Sequence, residues 1–192
     1  MTPSAHADPP DADLVEAARQ GDQGAFAVLV RRHERRVYGL ALRMLGREED
    51  ARDAAHDAFV SCYRNLRSFR GDAAFSTWLH RIAVNACYDA MRKRREVLGI
   101  EEAPEPPPAP DHGDAIAAAV DVRRALLLVP EEFRAVIVMH DLQDMGYDQI
   151  ADVLDVPIGT VKSRLHRGRI ALGEALSGEP SGPTRPSKQG SR

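Results

Sequence analysis

Apolar side chains recur along this chain at three- and four-residue intervals, in runs separated by short polar breaks, and that spacing predicts helices throughout. Asp11 or Asp13 is placed to cap a short first helix ending near Gln20-Gly21-Asp22. From about Gly24 to Leu45, Phe26, Leu29, Val30, Val37, Leu40, Ala41 and Met44 fall on one stripe, with Arg31, Arg32, Glu34, Arg35 and Arg36 over much of the other face and Gly46 as the stop. A third helix, roughly Glu48 to Leu66, aligns Ala51, Ala55, Ala58, Phe59, Cys62 and Leu66. Ser68 to Asp72 interrupts the period, and a fourth helix, near Phe75 to Arg95, groups Phe75, Trp78, Leu79, Ile82, Ala86 and Met91.

The second half repeats the style after a break. Residues 96–114 carry Pro104, Pro106, Pro107, Pro108 and Pro110 among acids, which predicts an extended linker. A helix from Ala115 to Leu128 stops before Pro130, and Pro130-Glu131-Glu132 starts another over Phe133 to Asp141. Tyr147 to Leu154 is a short helix, Asp155-Val156-Pro157 a turn, and Ile158 opens a helix continuing to Leu176. Residues 1–10 and 177–192 read as disordered tails. The expected fold class is therefore all-α, with two small helical domains at 11–95 and 115–176 joined by the linker.

Charge sharpens this picture. The formal net charge of −3 does not suggest a nucleic-acid binder, but the charges are segregated. Glu96 to Asp121 holds seven acids and no Lys or Arg, whereas Val156 to Gly173 holds four Lys or Arg and no acid. Arg92-Lys93-Arg94-Arg95 is a second basic block. Extended at about 3.1 Å per residue, the linker spans up to ~60 Å. That equals roughly 17 base pairs of duplex at about 3.4 Å each.

The pair of helices around Asp155 has the layout of a helix-turn-helix, from Tyr147 to His166. Ala151 is small where the helices cross, Ile150, Leu154, Val156, Val161 and Leu165 supply a core, and Asp155 tolerates the left-handed turn conformation. The second helix starts with Gly159, Thr160 and Ser163 and presents Lys162, Arg164, His166, Arg167 and Arg169. Such a helix enters the major groove by its N-terminal part, where Arg and Lys reach guanine edges and neutralise phosphates. A solvated basic face on an ordinary helical hairpin is the bland alternative.

Ser68-Phe69-Arg70-Gly71-Asp72-Ala73-Ala74-Phe75-Ser76-Thr77-Trp78-Leu79-His80-Arg81-Ile82-Ala83-Val84-Asn85-Ala86-Cys87-Tyr88-Asp89 closely resembles the promoter-melting and minus-10 segment of extracytoplasmic-function (ECF) sigma factors, a group of sigma-70-type RNA polymerase factors. Glu48 to Phe59 resembles the segment before it, and Pro157 to Arg169 the family's minus-35 recognition helix. The resemblance covers about residues 13–95 and 117–176, with three motifs in order, and its details look most like actinobacterial SigM-type members.

The resemblance implies that 11–95 is sigma region 2 and 115–176 sigma region 4. The implied partners are core RNA polymerase (clamp helices of the largest subunit, flap of the second-largest), promoter DNA and an anti-sigma factor. The implied core-binding face is Asp53, Asp57, Phe59, Val60, Tyr63, Arg64 and Leu66, although a merely solvated helix face fits the same residues. For the minus-10 strand the set is Asn65, Arg67, Ser68, Phe69, Arg70, Phe75, Trp78, Arg81, Asn85, Asp89, Arg92 and Lys93. Aromatic and basic groups beside a loop suit capture of unpaired bases by stacking and backbone attraction. Phe75 and Trp78 fit core packing equally well, because both lie on the apolar stripe. The acidic linker suits a basic channel or a contact-free spacer.

No cofactor or metal is expected: paired Cys motifs, H-E-x-x-H, a phosphate loop and a nucleophile elbow do not occur, and the seven His are scattered. An enzyme is not expected. Cys62 and Cys87 read as reduced core thiols. A polar N-terminus and the lack of an apolar run point to the cytoplasm, with no membrane contact. Two other readings stay open, a free-standing helix-turn-helix regulator and a helical interaction protein with no DNA role.

Overall fold

A computed structural model describes residues 9–99 and 122–177, and every regular element among them is helical. In the first half, α1 (Asp11–Arg19), α2 (Gln23–Leu45), α3 (Glu48–Asn65) and α4 (Phe75–Leu98) form a bundle, with one 3₁₀ turn at Leu66–Ser68. In the second, α5 (described over 122–128), α6 (Glu131–Asp141), α7 (Tyr147–Leu154) and α8 (Ile158–Ser177) form a smaller one.

The helix ends follow from local chemistry. Asp22 caps α2 by accepting from the Ala25 amide at 3.1 Å, and Gly46 ends that helix in the left-handed region at φ 81°. Three acids, Glu48, Glu49 and Asp50, sit in the first turn of α3, where the helix dipole favours them. One expected cap is corrected. Pro10 holds the N-cap position of α1, and the Asp11 carboxylate instead bonds Arg32 and His33 on α2, tying α1 to α2 across the chain. Helix α4 continues to Leu98, three residues beyond the expected end, and stops at Gly99 with φ 62°. The remaining linker from residue 100, the start of the expected 115–128 helix and both tails lie outside the described residues.

Small side chains set the packing of α3. Ala51, Ala54, Ala58 and Cys62 are all buried, so this helix lies close against α2 and α4. The facing sides supply Leu29, Val37, Leu40 and Met44 from α2, and Leu79, Ala83, Val84 and Cys87 from α4. Burial pushes both cysteine thiols up to about 12, so they stay protonated and unreactive, as their apolar setting in the sequence indicates.

Helix α6 is buried on every side from Arg134 to Met139, because it packs on α8 and α7 of its own half and on α2 of the other. The two halves share one continuous apolar core, and α7 also packs on α4. Arg134 sits inside this junction at 5% exposure, donating to the carbonyls of Leu127 and Val129 and, across the halves, of Met44 at 2.6 Å. Leu127 covers Gly46, where any side chain would collide with it.

Candidate promoter-binding surfaces

The loop after α3 and the first turns of α4 build an aromatic corner. Phe69, Phe75 and Trp78 lie with ring centroids 5.0 to 6.1 Å apart. Phe75 is only 5% exposed and also packs edge-on against His33, so it is a core residue whose ring is closed to a base. Trp78 and Phe69 are partly exposed and border a hollow of about 390 Å³ with Ser68, Arg70, Thr77 and Arg81. Arg19, which the sequence did not single out, braces the corner. Its guanidinium lies 5.8 Å over the Phe69 ring and its Nε donates to the Leu66 carbonyl at 3.1 Å.

Along α4, Trp78, Arg81, Asn85, Asp89 and Arg92 recur at three- and four-residue steps and form one stripe leading out of the hollow. All but the half-buried Trp78 are exposed, as is the neighbouring Lys93. Arg92 pairs with Asp89 at 2.8 Å on the surface. Asn65, Arg67 and Ser68 are exposed at the turn, where Ser68 donates to the Asn65 carbonyl and Asn65 to the Ser61 carbonyl.

On α3, Asp53, Asp57 and Arg64 are exposed and Val60 is partly so, on one face. Tyr63 is 47% exposed and its ring lies 4.8 Å from Phe26, while Phe59 is half-buried. Leu66 departs from the expected docking face. It is 2% exposed and fills the core, four residues on from Cys62 along the same apolar stripe.

The helix-turn-helix has its expected geometry, with Asp155 at φ 54° in the left-handed region. The Val156 amide bonds the Ala151 carbonyl at 3.2 Å, closing the turn. Val153 is a core residue that the apolar pattern did not single out, whereas Leu154 and Val156 are only partly buried. Helix α8 buries Val161, Leu165 and Gly168 and leaves Lys162, Ser163, His166 and Arg167 exposed. Lys162 lies 5.7 Å over the Tyr147 ring, which in turn stacks on His140 at 4.8 Å. Arg169 binds Asp141 through both Nε and Nη2, so it braces α8 on α6. Thr160 and Arg164 are partly buried. Burial pushes the Tyr88 phenol on α4 up to about 12, and the Arg164 charge opposes that shift.

A four-helix unit with an aromatic hollow, beside a helix-turn-helix with a basic recognition helix, defines a modular DNA-binding protein of transcription. Residues 29–97 match the family described as Sigma-70 region 2, and residues 119–172 match Sigma-70, region 4. The chain is 42% identical over 168 residues to the ECF RNA polymerase sigma factor SigM of Mycobacterium tuberculosis, covering 86% of this chain and 84% of that one. It is 35% identical to ECF sigma factor SigW of Bacillus subtilis, over 84% of this chain and 94% of the other. The structure of CnrH in complex with the cytosolic domain of CnrY is similar at TM-score 0.68 and 27% identity, covering 88% of this chain and 99% of that one. The Bartonella quintana sigma factor RpoE, solved with the anti-sigma factor NepR, shares the fold at TM-score 0.65 and 24% identity, over 79% and 96% of the two chains. The chain belongs to the ECF group of sigma-70 factors; it is an alternative sigma factor, which directs RNA polymerase to promoters.

Proposed function

We propose that region 2, taken as 11–95, docks on the clamp helices of the largest polymerase subunit and captures the opened minus-10 strand. Region 4, taken as 115–176, then reads the minus-35 duplex and touches the flap of the second-largest subunit. Docking falls to the α3 face of Asp53, Asp57, Val60, Tyr63 and Arg64, which mixes charge with exposed apolar surface. The observation that carries the reading is the exposed α4 stripe that issues from the Phe69–Trp78 hollow. It offers stacking partners, a guanidinium and amide groups along the path a single strand would follow. On α8, Thr160, Lys162, Ser163, Arg164, His166 and Arg167 form the minus-35 face, with Arg169 holding the helix in place.

The chain supplies no chemistry of its own in this scheme; the polymerase makes the transcript. Its place of work is the cytoplasm, where the polymerase and its DNA are, and no described helix is long and apolar enough to cross a membrane. A protein partner of the anti-sigma kind is expected to hold it in reserve; the similar CnrH was itself solved bound to another protein, the cytosolic domain of CnrY. Run-off transcription with purified core polymerase on fragmented genomic DNA tests the scheme. Discrete transcripts that require this chain are expected, and their absence would sink it.

A further inference from the structure

Helix α1 takes no part in the surfaces assigned to polymerase or DNA, yet both of its ends bear on the aromatic corner. At its start, Asp11 Oδ2 lies 2.8 Å from His33 Nε2, and the His33 ring packs edge-on against Phe75 with centroids 5.4 Å apart. At its end stands Arg19. The Leu66 carbonyl accepts from two donors, the Phe69 amide at 3.3 Å, which closes the 3₁₀ turn, and Arg19 Nε at 3.1 Å. The same guanidinium lies 5.8 Å over the Phe69 ring. One side chain thus holds Phe69 twice, through the turn that sets its backbone and through its ring. Helix α1 is a firm base for this grip, since Leu14, Val15 and Ala18 are buried.

The grip matters because Phe69 is not fixed by burial as Phe75 is. Its ring is partly exposed, and residues 69–74, between the 3₁₀ turn and α4, are irregular. A side chain in such a loop has rotamer freedom that it loses when a ligand packs on it, and that loss opposes binding. Arg19 does not itself line the hollow beside Phe69 and Trp78, so it reaches a bound base only through Phe69.

Resting on the strand-capture reading above, we propose that Arg19 is a positioning residue for promoter opening. It sets Phe69 in place as a wall of the hollow before the strand arrives, so the unpaired base meets a surface that is already ordered. Fixing one side chain in advance is worth about two- to tenfold in affinity. Trp78, on the regular helix α4, needs no such brace.

The test uses holoenzyme built from the full chain and a promoter fragment recovered by the run-off experiment, with 2-aminopurine in its minus-10 strand to report opening. Arg19→Met keeps the apolar stem and removes the guanidinium. It should lower the equilibrium constant for opening by about two- to tenfold, with affinity for core polymerase unchanged. Phe69→Leu should also impair opening, and adding Arg19→Met to it should cost nothing more, because the group through which Arg19 acts is gone. An Arg19→Met loss that persists in full beside Phe69→Leu overturns the proposal, since Arg19 then acts on DNA or on the fold at large. A parallel loss of core affinity overturns it too, as the mark of a folding defect. If Phe69→Leu impairs opening and Arg19→Met does not, the positioning role falls and the strand-capture reading stands. If Phe69→Leu opens the promoter as the parent does, both fall together.

Discussion

Gly168 is where a single carbon decides how region 4 packs. A Cβ there would stand 2.8 Å from Ile137 Cδ1 and 3.2 Å from Phe133 Cβ, and Ile137 is fully buried with no room to swing away. Gly168→Ala should therefore lower stability by about 1–3 kcal/mol through overpacking, outweighing the gain in helix propensity of up to about 1 kcal/mol. Gly159, in the first turn of the same helix, has nothing within 4 Å of its would-be Cβ. Gly159→Ala should be neutral or stabilise by about 0.4–1 kcal/mol. Thermal melting of the two variants checks the pair, and equal shifts would contradict the close α6–α8 crossing. The same comparison shows what single residues reveal in advance. Asp155 was readable as a left-handed turn residue because few side chains tolerate that conformation. Gly168 was not, since a glycine inside a basic helix gives no sign of the partner helix pressed against it. Nor did Asp11 announce itself, because a carboxylate at a helix start serves a cap and an ion pair equally well.

At the scale of elements, periodicity carried the helices well and their neighbours poorly. The α2, α3 and α4 stripes follow from apolar spacing, but nothing local says that α6 must be buried on all sides between two modules. The hint was Arg134 within an otherwise apolar run, and its partners are carbonyls far away in sequence. Similarly, Trp78 and Phe75 shared a stripe, and only packing separated the half-open ring from the core one. Two predictions belong here. Replacing Lys162, Arg164 and Arg167 on α8 by Ala should weaken minus-35 binding by holoenzyme. It should also flatten the dependence of log K on log salt by about one unit for each phosphate no longer neutralised. An unchanged slope in a filter-binding titration would mean α8 is not the DNA helix. The second concerns His80 on α4, whose ring nitrogens lie 2.6 Å from the Ser76 carbonyl and 2.7 Å from Gln143 Oε1. Burial lowers its pKa from 6.5, the two acceptors oppose that, and Arg36 and His33 facing it from α2 reinforce it. A neutral ring can donate to only one of these two oxygens, so the hydrogen bonds favour the cation while burial outweighs them and the net shift is downward; separating the modules returns the ring toward its ordinary value. Packing of the two modules is therefore most favoured above about pH 6.5 and weakens as pH falls below it toward the lowered value. Scattering from pH 7.5 down to about pH 5.5 should show expansion in the parent and a flatter response in His80→Asn, and a parent that stays compact throughout would refute the linkage.

For the molecule as a whole, the decisive feature is that two weak grips share one chain. Each module offers a modest DNA surface, with its positive charge confined to short blocks such as Arg92 to Arg95 and the start of α8. Affinity for a promoter must come from making the second contact intramolecular, at an effective concentration of about millimolar for a tether of suitable length. The segment that follows α4, up to residue 114, meets that requirement in composition, being rich in proline and acid and poor in apolar groups. Cutting it therefore separates what the tether does from what the packed contacts do. A protease site inserted between Pro107 and Pro108 leaves every described contact between the modules in place, because none of them involves the linker. The cleaved halves should still co-migrate in gel filtration, held by the shared core and by the contacts of Gln143 with Arg36 and His80. In holoenzyme at nanomolar concentration, promoter-specific transcription should fall by on the order of 10²- to 10⁴-fold, since region 4 no longer arrives with region 2. If the cut chain transcribes as well as the intact one, the polymerase alone positions region 4 and the tether contributes nothing to promoter choice. If the halves part on cleavage, the packed contacts between the modules depend on the tether to persist.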